Sequence, residues 1–251
     1  MVHLRTQKEI DKIYKSCQIV ADTLIMLEKH VVPGMAVKEL DKMAEEYIIE
    51  RGARPAFKGY MGFPATLCVS IDDVVVHGIP GNEILRSGQI VGIDCGAELD
   101  GYYGDHAKTF SVGNIDIEKE KLMTITRESL YRAISKAIPG NYVGDIGFAV
   151  QDFVEGHGYS VVRELVGHGI GTHLHEEPQI PNYGVAKQGH LLKAGMCIAI
   201  EPMINLGGRE IYTDEDGWSI KTKDGQVSAH FEHTIVITEN EPKILSVASD
   251  G

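Results

Sequence analysis

The chain has 251 residues, 43% of them hydrophobic and 24% charged, with a net charge of −12, the balance of a soluble globular protein. The acidic excess argues against affinity for DNA or acidic membranes, which Lys and Arg would have to supply, and no apolar run reaches the ~20 residues that span a bilayer. The opening MVHLRTQKEIDKIYK lacks the apolar core of a signal peptide, and Cys17, Cys68, Cys95 and Cys197 form no CxxC pair, so reduced thiols and a cytoplasmic location are expected.

Thr6 and Glu9 make a capping-box signature. Ile10, Ile13, Cys17, Val20, Leu24 and Leu27 follow at helical spacing, predicting a helix that ends by Pro33-Gly34. A second helix is expected over about 37–51, with Leu40, Met43, Tyr47 and Ile48 inward and Gly52 closing it. Residues 54–65 place Phe57, Tyr60 and Phe63 in a Gly/Pro-rich loop, suited to a hydrophobic latch or a ligand pocket. Strands follow over 66–71 and 74–76, the second delivering His77 to a turn. Residues 85–109 read as a strand, an Asp100-Gly101 turn and a returning strand. A two-residue turn sets Gly96 opposite Asp105, and Asp94 then shares the Asp105 face in a diagonal position, with β-carbons roughly 7 Å apart. Helices over 117–137 and 144–155, a strand over 160–166 and a glycine-rich loop over 167–184 holding His168, His173 and His175 complete the order. The closing SVASDG is expected to fray.

Much of this occurs twice. LRSGQIVGID (85–94) aligns on LKAGMCIAIE (192–201), setting Asp94 on Glu201, and residues 33–52 align on 139–158. Asp105-His106 has a counterpart in Glu232-His233, read as lying on a strand after the Asp224-Gly225 turn, and His77 has one in His168. The spacing predicts a single domain over 1–251 built from two pseudo-repeats, about 33–112 and 139–238. Asp94 and Glu201 sit inside apolar strands without a nearby Lys or Arg, and buried carboxylates need a partner or a metal. Asp94, Asp105, His168, Glu201 and Glu232 therefore form a candidate ligand set of hard oxygen donors and one imidazole, suited to Mn, Fe, Co or Zn. Four negative charges exceed what one divalent ion neutralises, which points to two ions.

The motifs VVHGIP, GDHAKTF, GHGIGTHLHEEPQIPNYG, AIEPM and AHFEHTIVIT together resemble the methionine aminopeptidases of type I, in the creatinase-like pita-bread metallopeptidase family. The resemblance covers about residues 5 to 247. It implies an α+β fold with a curved antiparallel sheet covered by helices, and removal of the initiator methionine when the second residue is small. It makes Asp94, Asp105, His168, Glu201 and Glu232 the ligands of two divalent ions (Mn, Fe, Co, Zn or Ni), with Asp105 and Glu232 bridging. His77 and His175 would contact the substrate and Glu201 would shuttle the proton. The methionine pocket would comprise Tyr60, Phe63, Cys68, His77, Leu174, His175 and Trp218. Leu174 stands where some relatives carry an aromatic, Phe63 replaces a Tyr, and Phe57 stands where some bacterial members have Cys. A two-residue turn at Asp224-Gly225 would pair Trp218 with Phe231 and turn it away from Glu232, unless a bulge or longer loop intervenes. A monovalent cation would lie near Asp72, Val74 and Ser228, with Asp72 in place of an Asn. N-termini of nascent proteins and peptides are the implied partners, with a transient ribosome contact and a monomeric state expected. The rival readings are an Xaa-Pro aminopeptidase or prolidase, which carries a large extra N-terminal domain, and a non-enzymatic module of the same fold, which lacks the ligands.

Overall fold

The computed structural model describes residues 2–247. α1 (Gln7–Glu28) starts where Glu9 accepts from the Thr6 backbone N–H at 2.8 Å and from its hydroxyl at 2.7 Å. α2 (Val37–Glu50) follows. Both pack on a sheet made by β1 (Arg54–Pro55), β2 (Leu67–Ile71), β4 (Ile90–Leu99) and β5 (Tyr102–Ser111), with β3 (Val74–Val76) leaving to another sheet. Val91, Ile93, Cys95 and Ala97 of β4 alternate toward the helices and bury against Leu24, Leu27, Leu40 and Ile48. Gly92, Asp94 and Gly96 therefore take the opposite face. At Gly104 a β-carbon would lie 2.5 Å from the Cys17 backbone nitrogen, so glycine there lets α1 lie directly on β5.

The second half repeats this layering. α3 (Ile117–Ile134) and α4 (Val143–Gly156) cover a five-stranded sheet in the order β15 (Lys243–Ile244), β14 (His233–Val236), β9 (Cys197–Ile200), β7 (Gly167–Gly169), β8 (Glu176–Ile180). Leu122, Leu130, Ile146 and Val150 meet Ile198, Ile200 and Ile235 in its core. β10 (Met203–Asn205) lies between β6 (Ser160–Val161) and β13 (Ser228–His230). Equivalent bonds recur in the segments that align in sequence. Gly34 N–H donates to Leu85 O at 2.8 Å and Gly140 N–H to Leu192 O at 3.1 Å; Val37 donates to Glu83 and Val143 to His190, both at 2.9 Å.

Several elements depart from expectation. α3 stops at Ile134 because its last turn tightens, Ala137 N–H donating to Ile134 O at 2.9 Å. Only Ser160–Val161 of the expected 160–166 strand forms, and contact with β10 ends where Val162 N–H donates at 3.1 Å to O of Met203, the first residue of that three-residue strand. Asp224-Gly225 does not join paired strands. β12 (Ile220–Thr222) pairs with β11 (Ile211–Thr213) and, across the molecule, with β3, while β13 pairs with β10. Asp224 instead accepts from Gly208 N–H at 2.7 Å, so the turn staples a long excursion. Trp218 is accordingly not opposite Phe231, and Glu232 lies just ahead of β14. Ser246, expected to fray, is buried and accepts from Thr234 N–H at 3.1 Å; residues 248–251 lie outside the described residues.

Candidate metal centre and substrate cavity

β4 and β5 pair with Gly96 opposite Asp105 and Asp94 opposite Ala107, so the two aspartates share one face in the expected diagonal. The hairpin meets β14 edge to edge. Thr234 Oγ1 donates to Asp105 O at 2.8 Å, and Glu232 N–H donates to Ala107 O at 2.9 Å, which brings Glu232 beside Asp105. β7 pairs with β9 through His168 and Ala199, two residues before Glu201. His168 Nε2 stands 3.8 Å from Asp105 Oδ2 and 3.6 Å from Glu201 Oε1. One ligand atom from each of Asp105, His168 and Glu232 falls within 4.8 Å of the others.

Burial sets the electrostatics. It pushes the Asp94 carboxyl up to about 7. Burial first, then the neighbouring carboxylates, holds Asp105, Glu201 and Glu232 well above the usual range. Burial brings His168 down to about 3, so the ring is neutral. Its Nδ1 lies 2.9 Å from Gly169 O; donation there fixes the tautomer and leaves the Nε2 lone pair facing the carboxylates. Asp94 Oδ1 and Glu232 Oε1 are buried without a hydrogen-bond partner, and the cavity lining holds no Lys or Arg among the described residues. Four crowded carboxylates, one imidazole lone pair and two orphaned oxygens fit divalent metal ions and little else.

All five of these residues line one cavity of about 150 Å³, together with Tyr60, Phe63, Cys68, His77, Leu174, His175 and Trp218. Trp218 reaches it because the excursion packs against β3, and its ring meets Phe63 edge-on with centroids 5.2 Å apart. His77 ends β3 in a left-handed conformation (φ 59°), and burial lowers its pKa. His175 is brought down to about 4, by burial and then by His77. Its Nδ1 is 2.8 Å from the Tyr60 hydroxyl, and its ring stands edge-on to His168 at 4.4 Å. Cys68 is opposite Asp94 on β2, and burial raises its thiol pKa well above the ordinary value.

Two residues, Met61 and His230, escaped the sequence reading of the site. Met61, 83% exposed, lines the cavity, as does Phe57, the position where some relatives carry Cys. His230 is buried with Nε2 unpartnered, 3.7 Å from Glu201 Oε2. The signal for His230 was present, since it is two residues before Glu232 and strand alternation puts both on one face. Near the expected monovalent site, Ser228 N–H donates to Asp72 O at 2.9 Å, Val74 pairs with Lys221, and the Lys119 ammonium sits 2.9 Å from Asp72 Oδ1.

Residues 11–239 match the model of metallopeptidase family M24. The chain is 48% identical to a methionine aminopeptidase of Clostridium perfringens over 98% of this chain and 99% of that one. The crystal structure of methionine aminopeptidase from Rickettsia prowazekii superposes with a TM-score of 0.97 at 39% identity, covering 98% of this chain and 100% of that one. Prolidase from Pyrococcus furiosus also superposes, with a TM-score of 0.81 at 26% identity, but 98% of this chain covers only 66% of that one. The α+β pita-bread class expected from the motifs is thereby borne out.

Proposed function

We infer, from the premise that this chain belongs to metallopeptidase family M24, that it is a metal-dependent methionine aminopeptidase acting on peptides and proteins whose second residue is small. The observation that carries this reading is the adjacency, within one cavity, of a carboxylate cluster without Lys or Arg in its lining to an apolar slot. Asp94, Asp105, His168, Glu201 and Glu232 would hold two divalent ions, and the donor set accepts Mn, Fe, Co, Zn or Ni. Such ions polarise the scissile carbonyl and make water a nucleophile near neutral pH.

The chain's own groups do the rest. Tyr60, Phe63, Cys68, Leu174 and Trp218 enclose an unbranched apolar side chain, and sulfur–aromatic contacts favour methionine. Tyr60 holds His175 at Nδ1, leaving Nε2 free to meet the substrate. Burial keeps His77 and His175 neutral near pH 7, so each can donate an N–H to the peptide without carrying a charge. Glu201 moves the proton from water to the leaving amine. Bulk at the second residue presses against His77 and Glu201, and displacing the carbonyl by about 1 Å costs on the order of a hundredfold in rate. A monovalent cation would sit beside Asp72, Val74 and Ser228, next to the Lys119 ammonium. The enzyme works as one catalytic domain and as a cytoplasmic monomer on N-termini leaving the ribosome, with transient contact there. Among the described residues no helix is long and apolar enough to cross a membrane.

Peptide hydrolysis tests this reading. Met-Ala and Met-Gly peptides should be cut, Met-Lys and Met-Phe spared, and N-terminal Leu or Lys cut poorly. Rapid cleavage of Xaa-Pro peptides with Met-Ala untouched would move the assignment to a prolidase.

A further inference from the structure

The segment ahead of α1 makes contacts that neither the carboxylate cluster nor the apolar slot requires. Arg5 has a side chain only 5% exposed, and its Nη2 pairs with Glu176 Oε2. Its backbone N–H donates to Gly195 O at 2.7 Å, pinning the segment to the turn before β9. Glu176 uses its other oxygen to gather a bend. Oε1 accepts from Thr172 N–H at 2.9 Å, from His173 N–H at 3.0 Å and from the Thr172 hydroxyl at 3.1 Å. A β-carbon on Gly171 would lie 2.2 Å from Nη2 and 2.5 Å from Cζ of Arg5, so the guanidinium lies flat against that glycine. On the other side, Tyr103 N–H donates to Gly171 O at 2.8 Å. The bend so clamped carries Leu174 and His175, the two of its residues that line the cavity.

A buried Arg–carboxylate pair contributes little net stability, because desolvation offsets the attraction. What this pair does is fix a position. We propose that Arg5 is a positioning residue that acts through Glu176 to hold His175 and Leu174 against the substrate. The proposal rests on the reading of His175 as a substrate-contacting group. The fork geometry of arginine suits the role, since it can meet a carboxylate and stack on a backbone plane at once.

A double-mutant cycle on the metal-loaded full chain tests it, with kcat/KM measured on a Met-Ala peptide, bound metal quantified and melting followed for each variant. Arg5→Ala should lower kcat/KM by about tenfold or more in the native background. In the His175→Ala background it should lower it by less than about twofold, with metal content unchanged in both. Arg5→Lys should recover part of the loss, because it keeps the charge but not the fork. Gly171→Ala, which displaces the guanidinium without altering any charge, should reproduce the Arg5→Ala loss even if that variant folds poorly. Equal losses in the two backgrounds, or metal lost from Arg5→Ala or Gly171→Ala, would overturn the proposal and leave Arg5 a scaffold residue. Full turnover by His175→Ala alone would overturn the assignment of His175, and the proposal with it.

Discussion

The two hairpins that supply the acids are built differently. In the first, β4 and β5 pair without interruption over ten residues each and reverse at Asp100-Gly101, both in the left-handed region (φ 52° and 80°) that a tight hairpin turn requires. In the second, β9 and β14 pair over four residues, the ladder stops at Pro202, β10 and β13 resume it, and residues 206–227 leave the sheet. Proline has no N–H to lose from a ladder, so it marks the break at no extra cost in hydrogen bonds. The registers differ too. Asp94 lies diagonal to Asp105, whereas pairing of Ile200 with His233 and of Met203 with His230 sets Glu201 level with Glu232. One hairpin tip is only a turn; the other is an excursion that returns through β12 to β3 and places Trp218 on the cavity wall. Equivalent acids thus tolerate different strand geometry, while what lies between the strands sets the pocket.

Removing an acid from either hairpin should have the largest effect, and the same one. Asp105→Asn and Glu232→Gln should each reduce kcat/KM by about a thousandfold, the several kcal/mol that metal polarisation supplies. A loss confined to one hairpin would break the equivalence. Trp218→Ala should separate the tips. It should raise KM for Met-Ala peptides about tenfold, with kcat and bound metal little changed; loss of metal would mean that the excursion supports the cluster rather than the slot.

The pH dependence of stability in the chelated protein sharpens the role of crowding. A carboxyl raised in the folded chain contributes stability below its unfolded value and loses it as pH rises through the folded one. Asp94 at about 7, with Asp105, Glu201 and Glu232 also raised, should make the metal-free melting temperature fall above pH 6.5. The buried imidazoles His168, His175 and His230 act in the opposite sense, but only below about 6.5, where unfolded His begins to charge. Divalent metal should flatten the slope in a thermal-shift assay; an unchanged slope would show that the ions bind elsewhere. The smallest effect belongs to the first tip. Gly101→Ala should cost about 1 kcal/mol through its left-handed backbone, a fall of roughly 2–4 °C, and leave kcat/KM unaltered.

The same Asp-Gly pair explains what could be read from the sequence and what could not. At Asp100-Gly101 the flanking strands are each other's partners, so a local rule gave both the register and the relation of Asp94 to Asp105. At Asp224-Gly225 the same dipeptide closes a loop, because β12 finds its partner in β3, far back in the chain. No local pattern encodes that choice. Helices α1 and α2 were legible from apolar periodicity alone, since they need only a sheet to bury against. Arg5 was not, because its partner Glu176 joins it only once the turn before β9 has been brought against the N-terminal segment. His230 was legible in principle from alternation, and was passed over because its partner Glu201 lies on another strand.

Acids from both hairpins, together with His168, are proposed to form one metal centre that drives release of N-terminal methionine. Titrating Mn or Co into the chelated chain, while following methionine release from a Met-Ala peptide, tests it most directly. No release is expected without metal, recovery is expected on addition to the native chain, and Asp105→Asn and Glu232→Gln should stay about a thousandfold below the native rate at any metal concentration. Undiminished hydrolysis by the chelated chain, or recovery of those two variants to the native rate, would contradict it.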